Sequence, residues 1–232
     1  MVLTRGGAKS QDMKNALVLG ATGGIGAAVK ARLMARGVAV TGLSRADGLD
    51  VTDPAAVDAL MGAQAGPFDL IFVAIGVLAP SGGAPEKSLA AVEAQAMQDV
   101  YAVNAVGPAL ILRQAARLLA KDRRGVVAVL SARVGSIGDN QIGGWYSYRA
   151  SKAALNQIVH GAAIELGRSH KQSICVALHP GTVETPFTAQ YAGRHKTVPA
   201  GQAAENLLSV IESLGPAQTG GFYDYAGQEI VW

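Results

Sequence analysis

Short runs of apolar residues alternate along this chain with longer stretches in which apolar positions recur every three or four residues. The short runs predict strands at Ala16–Leu19, Val38–Leu43, Leu70–Ile75, Val126–Leu130, Ile174–Leu178 and Phe222–Tyr225. The longer stretches predict helices at Ile25–Arg36, Pro54–Met61, Trp145–Arg168 and Ala203–Ser213, with one or two more between Ala90 and Lys121. Strands that are apolar at consecutive positions are covered on both faces, and helices between them make those strands parallel. The expected fold class is α/β, a doubly wound parallel sheet with helices on both faces. No linker or composition shift divides residues 15–232, so one domain is expected. Residues 1–14 read as a flexible leader without the apolar core of a signal segment. The irregular stretch at about 182–200, holding Pro186, Gly193 and Pro199, reads as a lid loop.

Composition narrows the possibilities. Charged residues are 16% and hydrophobic ones 50%, which excludes a disordered or coiled-coil chain. The net charge is +3, and Arg5, Lys9 and Lys14 at the start account for most of it. No basic stripe remains in the body, so nucleic acid is not an expected partner. The apolar run from Leu70 to Ala79 is far shorter than the ~20 residues of a membrane span. Cys175 is the single cysteine, which forbids an internal disulfide and suits a cytoplasmic protein. His160, His170, His179 and His195 lack metal-ligand spacing, so no metal is expected. Glycine is in excess at 29 of 232 residues. That excess implies tight turns or close backbone approach at many points.

One cluster of glycines has a chemical reading. Gly20-Ala21-Thr22-Gly23-Gly24-Ile25-Gly26 joins the first predicted strand to the first helix. A helix start offers free N–H groups and positive dipole character, and glycines clear the space a pyrophosphate needs. In dinucleotide-binding folds an acidic residue about 20 positions on often holds the ribose hydroxyls. Here Ser44 and Arg45 stand at that place, and a guanidinium suits a 2′-phosphate. NADP(H) is therefore favoured over NAD(H), although Asp47 could take the acidic role and Arg45 could be a solvated loop charge. Asp50, followed by Val51, is placed to accept from an adenine amino group, while Asp53 fits the N-cap of the helix at Pro54. The link after Arg45 is too short for a helix, so an element of the usual alternation is missing or very short there.

Tyr148 and Lys152 lie four apart at the start of a long helix, which puts phenol and ammonium on one face. A neighbouring cation is expected to lower the phenol pKa. With the glycine turn, Asp50, Asn104 and Pro180-Gly181-Thr182-Val183-Glu184-Thr185 in matching order, the chain resembles the short-chain dehydrogenase/reductase family from Asn15 onward. Pro85-Glu86-Lys87-Ser88-Leu89, Gly135–Asn140 and the segment Asp224–Trp232 resemble more narrowly the C-factor group, which is related to sniffer-type carbonyl reductases.

The resemblance implies a Rossmann fold and an NADP(H)-dependent oxidoreductase interconverting carbonyl and alcohol. Tyr148 would be the acid/base, supported by Lys152, with Asn104 holding a water that links Lys152 to solvent. Gly20, Thr22, Gly24, Ile25, Gly26, Ser44, Arg45, Asp50, Val51, Ala74 and Gly76 would contact the dinucleotide. Tyr148, Lys152, Pro180, Gly181, Val183 and Thr185 would surround its nicotinamide half. A homodimer or homotetramer is implied, with the alanine-rich helices as candidate contacts. The family's substrate-orienting serine aligns with Ala132; Ser131 is named for that role, with Ser136 as a further candidate. The alternative is a cofactor-binding signalling or regulatory protein of C-factor type with weak or no catalysis. Gly143-Gly144-Trp145, Arg133 and Pro186–Ala200 are the expected substrate-side walls.

Overall fold

A computed structural model describes residues 13–80, 83–187 and 197–232. Its strands are β1 (Asn15–Leu19), β2 (Ala39–Leu43), β3 (Leu70–Val73), β4 (Gly125–Leu130), β5 (Ser173–His179), β6 (Val183–Glu184), β7 (Val198–Pro199) and β8 (Phe222–Asp224). Six of them form one sheet in the order β2-β1-β3-β4-β5-β8, and every pairing is parallel. The helices are α1 (Gly24–Ala35), α2 (Pro54–Gly62), α3 (Ala94–Tyr101), α4 (Gly107–Leu112), α5 (Ala115–Leu118), α6 (Tyr146–Ser169) and α7 (Ala200–Ser213).

Alternation along the strands sorts the core into two layers. Val127 and Val129 of β4, with Cys175 and Ala177 of β5, face α2, α4 and α6 through Met61, Ile111, Leu155 and Val159. Val126, Ala128, Ile174 and Val176 face α1 and α7 through Val29, Leu33, Leu207 and Ile211. Arg36, the C-cap of α1, reinforces the second layer with ion pairs to Glu205 and Glu212 of α7.

The connection after β2 is a single 3-10 turn, Arg45–Asp47, closed by a left-handed Gly48. No strand lies outside β2 among the described residues, so the short link does omit an element. Asp53 caps α2 through a bond from the Ala55 amide at 2.9 Å.

Three boundaries depart from the hydrophobic pattern. β3 stops at Val73 rather than Ile75. The chain there is captured by Asn104, which accepts from the Val77 amide and donates to its carbonyl, both at 2.8 Å. The helical run after Ala90 is broken into pieces, with a π turn over Ala102–Val106 between α3 and α4. Pro108 has no N–H to give the Asn104 carbonyl four residues back, so the ladder widens there. In the expected lid, Val183–Glu184 pairs with Val198–Pro199. Positions 188–196 of that lid, and 1–12 of the expected leader, lie outside the described residues.

Candidate active site

Strand order reverses between β2 and β3 on either side of β1, and in such sheets ligands bind beyond the carboxyl ends of the strands at that reversal. Two adjoining cavities, of about 670 and 640 Å³, open there. They share Thr22, Gly23, Ala74, Ile75 and Gly76 as lining.

The glycine turn is a cradle that side chains would fill. Gly20 has φ +82°, and a Cβ there would lie 2.3 Å from the Ala74 carbonyl oxygen. A Cβ on Gly26 would lie 2.1 Å from the Gly20 carbonyl oxygen. A Cβ on Gly24 would meet the Thr185 methyl at 2.4 Å. The turn also leads into the N-terminus of α1, which has no side-chain cap and no acidic residue in its first turn. The loop thus presents backbone N–H groups and room for an anion, which fits a dinucleotide pyrophosphate.

The smaller cavity continues from the cradle along Ser44, Arg45, Asp50 and Val51. Asp47 is not among the residues that line it. Its Oδ2 accepts from both the amide (2.9 Å) and the hydroxyl (2.8 Å) of Ser44, closing the turn. Arg45 is exposed beside the cavity and has no direct ion pair among the described residues. Asp50 is held as a carboxylate below its usual range by bonds from the Thr52 hydroxyl and amide.

The larger cavity holds Tyr148 and Lys152 on one face of α6, both buried. Pro180, Gly181, Val183 and Thr185 close it from the end of β5. Every expected cofactor residue therefore lines one cavity or the other. Lys152 Nζ donates to the Leu130 carbonyl at 2.9 Å. Gly76 packs so close that a Cβ would lie 3.3 Å from that nitrogen.

Burial pushes the Tyr148 phenol well above its usual value and brings the Lys152 ammonium down to about 7. The sign for the phenol is opposite to the lowering expected from the lysine. Removing each group from water drives it towards its neutral form.

Asn104 does not point into either cavity. Its side chain clasps Val77 and donates to Ser151 Oγ at 3.0 Å, and Ser151 in turn donates to the Tyr148 carbonyl at 2.8 Å. The Asn104 side chain is a brace between the β3 loop and the first turns of α6.

The hydroxyls of both serine candidates take part in hydrogen bonds. Ser131 Oγ donates to Asn156 Oδ1 at 2.6 Å, on the α6 side of the sheet. Ser136 Oγ accepts from the Asp139 amide at 3.0 Å. The residue that shares a buried cluster with Tyr148 and Leu78 is Ala132. Ser131 lines the larger cavity with its hydroxyl engaged by Asn156, and Ala132 packs beside Tyr148.

Trp145, Arg133 and Pro186 line the larger cavity as expected. Phe187, within the expected Pro186–Ala200 wall, also lines it, its ring 6.1 Å from that of Tyr148, while sequence reasoning missed His179 at the end of β5. The His179 ring has its Nδ1 buried without a partner, and burial lowers its pKa to about 4. Its position immediately before Pro180-Gly181 was the available signal. Among the described residues no group of His, Cys, Asp or Glu is arranged to hold a metal, and no helix is long and apolar enough to cross a membrane.

Fold and site define a nucleotide-binding α/β protein of the Rossmann kind. A family model described as enoyl-(acyl carrier protein) reductase matches residues 20–212. The chain belongs to the short-chain dehydrogenase/reductase family of oxidoreductases. It is 29% identical over 236 residues to 1-hydroxy-2-glutathionyl-2-methyl-3-butene dehydrogenase of Rhodococcus sp. (strain AD45), covering 95% of this chain and 100% of that one. It is 37% identical over 139 residues to C-signal of Myxococcus xanthus, covering 59% of this chain and 78% of that one. The carbonyl reductase Sniffer of Drosophila melanogaster has the same fold, with a TM-score of 0.76 at 21% identity over 95% of this chain and 100% of that one.

Proposed function

We propose that the protein is an NADP(H)-dependent oxidoreductase that interconverts a carbonyl and an alcohol. The observation that carries this reading is the buried Tyr148 and Lys152 on one face of α6, in a cavity that runs into the glycine cradle. When bound, the nicotinamide supplies or accepts the hydride, and the protein supplies orientation and electrostatics. Tyr148 Oη gives its proton to the carbonyl oxygen, and burial keeps that proton in place at neutral pH. Lys152 holds ribose hydroxyls while anchored on the Leu130 carbonyl. Gly20, Gly24 and Gly26 admit the pyrophosphate. Ser44 and Arg45 take the 2′-phosphate, Asp50 the adenine amino group, and Val183 and Thr185 the carboxamide.

Ala132 removes one donor from the carbonyl oxygen, and by analogy with an oxyanion-hole donor that slows the chemical step by about 10²–10³. The same alanine, with the likeness to C-signal, favours a second reading: a signalling or regulatory protein that binds the cofactor and turns over weakly or not at all. We infer further that the protein is cytoplasmic and forms a homodimer or homotetramer, with exposed Val106 and Ile164 near the helix faces that would meet.

The deciding experiment is turnover of a panel of aldehydes, ketones and diketones with NADPH, parent against Tyr148→Phe. A loss of at least about 10²-fold on any substrate supports the enzyme. NADPH binding by calorimetry without turnover above Tyr148→Phe supports the second reading.

A further inference from the structure

The helix that carries Tyr148 starts in an unusual way. Gly143, Gly144 and Trp145 all lie in the left-handed region, with φ +70°, +66° and 53°. A side chain at Trp145 resists that conformation, because its Cβ crowds the following carbonyl. Trp145 is the N-cap of α6 but offers no side-chain cap, and the first turn holds no acidic residue. A 24-residue helix thus begins with bare N–H groups and an uncompensated dipole on its own account.

What it lacks comes from 61 residues away. The Glu86 carbonyl accepts from the Trp145 amide at 2.5 Å. Its carboxylate accepts from the Ser147 amide at 3.2 Å and from the Ser147 hydroxyl. Burial by itself would raise the Glu86 pKa, but the bonds from Ser147 outweigh it and hold the group ionised. Arg149 closes the turn from the other side, donating to the carbonyls of Gly143 (3.2 Å), Gly144 (3.0 Å) and Val134 (3.3 Å). Among the described residues, the hydrogen bonds of Glu86 to other residues go only to positions 145 and 147. Both positions lie within three residues before Tyr148, and the Trp145 ring stands edge-on to the Tyr148 ring at 6.2 Å.

We propose that Glu86 is a positioning residue for the reaction: it caps α6 from outside the helix, holds Trp145 in its left-handed state, and thereby sets the placement of the Tyr148 phenol. The inference rests on the reading of Tyr148 as acid/base. An ordinary cap would affect stability alone. A positioning role affects the chemical step, because a misplacement of about 1 Å can cost on the order of 10²-fold in rate.

The chain has two tryptophans, so a Trp232→Phe background leaves Trp145 as the sole indole reporter. In that background Glu86→Ala is expected to lower kcat by roughly 10- to 100-fold with NADPH and benzil. It should shift the Trp145 emission and leave the NADPH Kd within about twofold, since the cradle is untouched. Glu86→Gln keeps an acceptor for the Ser147 amide and should return kcat to within about threefold of the background.

A folded Glu86→Ala protein with unchanged kcat and unchanged Trp145 emission overturns the inference, whatever its Tm. Should Glu86→Ala fail to fold, Ser147→Ala decides, because it removes one of the same bonds: unchanged kcat and emission overturn the inference, a loss in both supports it. Tyr148→Phe separates the two levels of the argument. Its full retention of activity defeats the acid/base reading, while the Trp145 emission still reports whether Glu86 sets the helix start.

Discussion

Substituting Gly26 by alanine tests the glycine cradle more directly than any change of a charged group. The added Cβ would sit 2.1 Å from the Gly20 carbonyl oxygen and 2.9 Å from its carbon. Both are backbone atoms, so no side chain can swing aside. Restoring an ordinary contact means moving α1 and the turn apart by about 1 Å, and overpacking of this kind costs roughly 1–3 kcal/mol. The better helix propensity of alanine returns only about 1 kcal/mol. The turn N–H groups shift with the backbone, and a pyrophosphate held by several of them loses its fit. We expect NADPH affinity to fall by at least about 10²-fold. Gly167→Ala is the control, because nothing lies within 4 Å of a Cβ there and its φ is ordinary for a helix. It should stabilise by about 0.5–1 kcal/mol, or roughly 1–4 °C in Tm. Fluorescence titration with NADPH and calorimetric melting measure both effects. A Gly26→Ala protein that binds NADPH within twofold of the parent refutes the cradle.

Three further outcomes follow from the geometry. Arg45→Ala should weaken NADPH by about 10-fold or more and leave NADH nearly unchanged, and equal affinities of the parent for the two cofactors would sink the 2′-phosphate assignment. Ala132→Ser restores a hydroxyl beside Tyr148 and should raise kcat by about 10-fold or more; no rise on any turned-over substrate means that position does not face the carbonyl. Lys152 sits near 7 in the fold against 10.5 ordinarily, so between these values the unfolded chain binds more protons and stability rises with pH. His179, lowered from 6.5 to about 4, extends the loss of stability to acid pH, whereas Cys175, raised from 9.0 to about 12, offsets the Lys152 rise above about pH 9 and flattens the curve there. Tm should therefore climb from pH 5 to 9, and Lys152→Met should flatten the upper part of that rise. A Tm that falls between pH 7 and 9 contradicts the buried lysine.

The sequence showed what depends on neighbours along the chain and hid what depends on distant partners. The run Val126–Leu130 reads as a central strand because it is apolar at every position, and it is one. Ala74 and Ile75 are equally apolar, yet they leave the sheet because Asn104, 27 residues on, clasps Val77. Nothing local encodes that stop. The orientation of Ser131 is legible in the alternation along β4. Val127 and Val129 face α6, so period two puts Ser131 on the same side, away from the place that Ala132 takes. Glu86 stood inside a motif that signalled resemblance but no chemistry, because its partners Trp145 and Ser147 are brought to it only by the fold.

Burial rearranges the chemistry that the Tyr148–Lys152 spacing suggests. A phenol beside a lysine invites the reading of a phenolate poised by a cation. In the folded protein the phenol is shielded from water and keeps its proton, while the lysine is the member of the pair that titrates near neutrality. A carbonyl oxygen receiving hydride needs a proton donor, and an alcohol giving up hydride needs a base. A protonated Tyr148 serves the first need at neutral pH and must lose its proton to serve the second. On the proposed reading the protonated Tyr148 is the form that carbonyl reduction uses, and alcohol oxidation uses the form that has lost its proton.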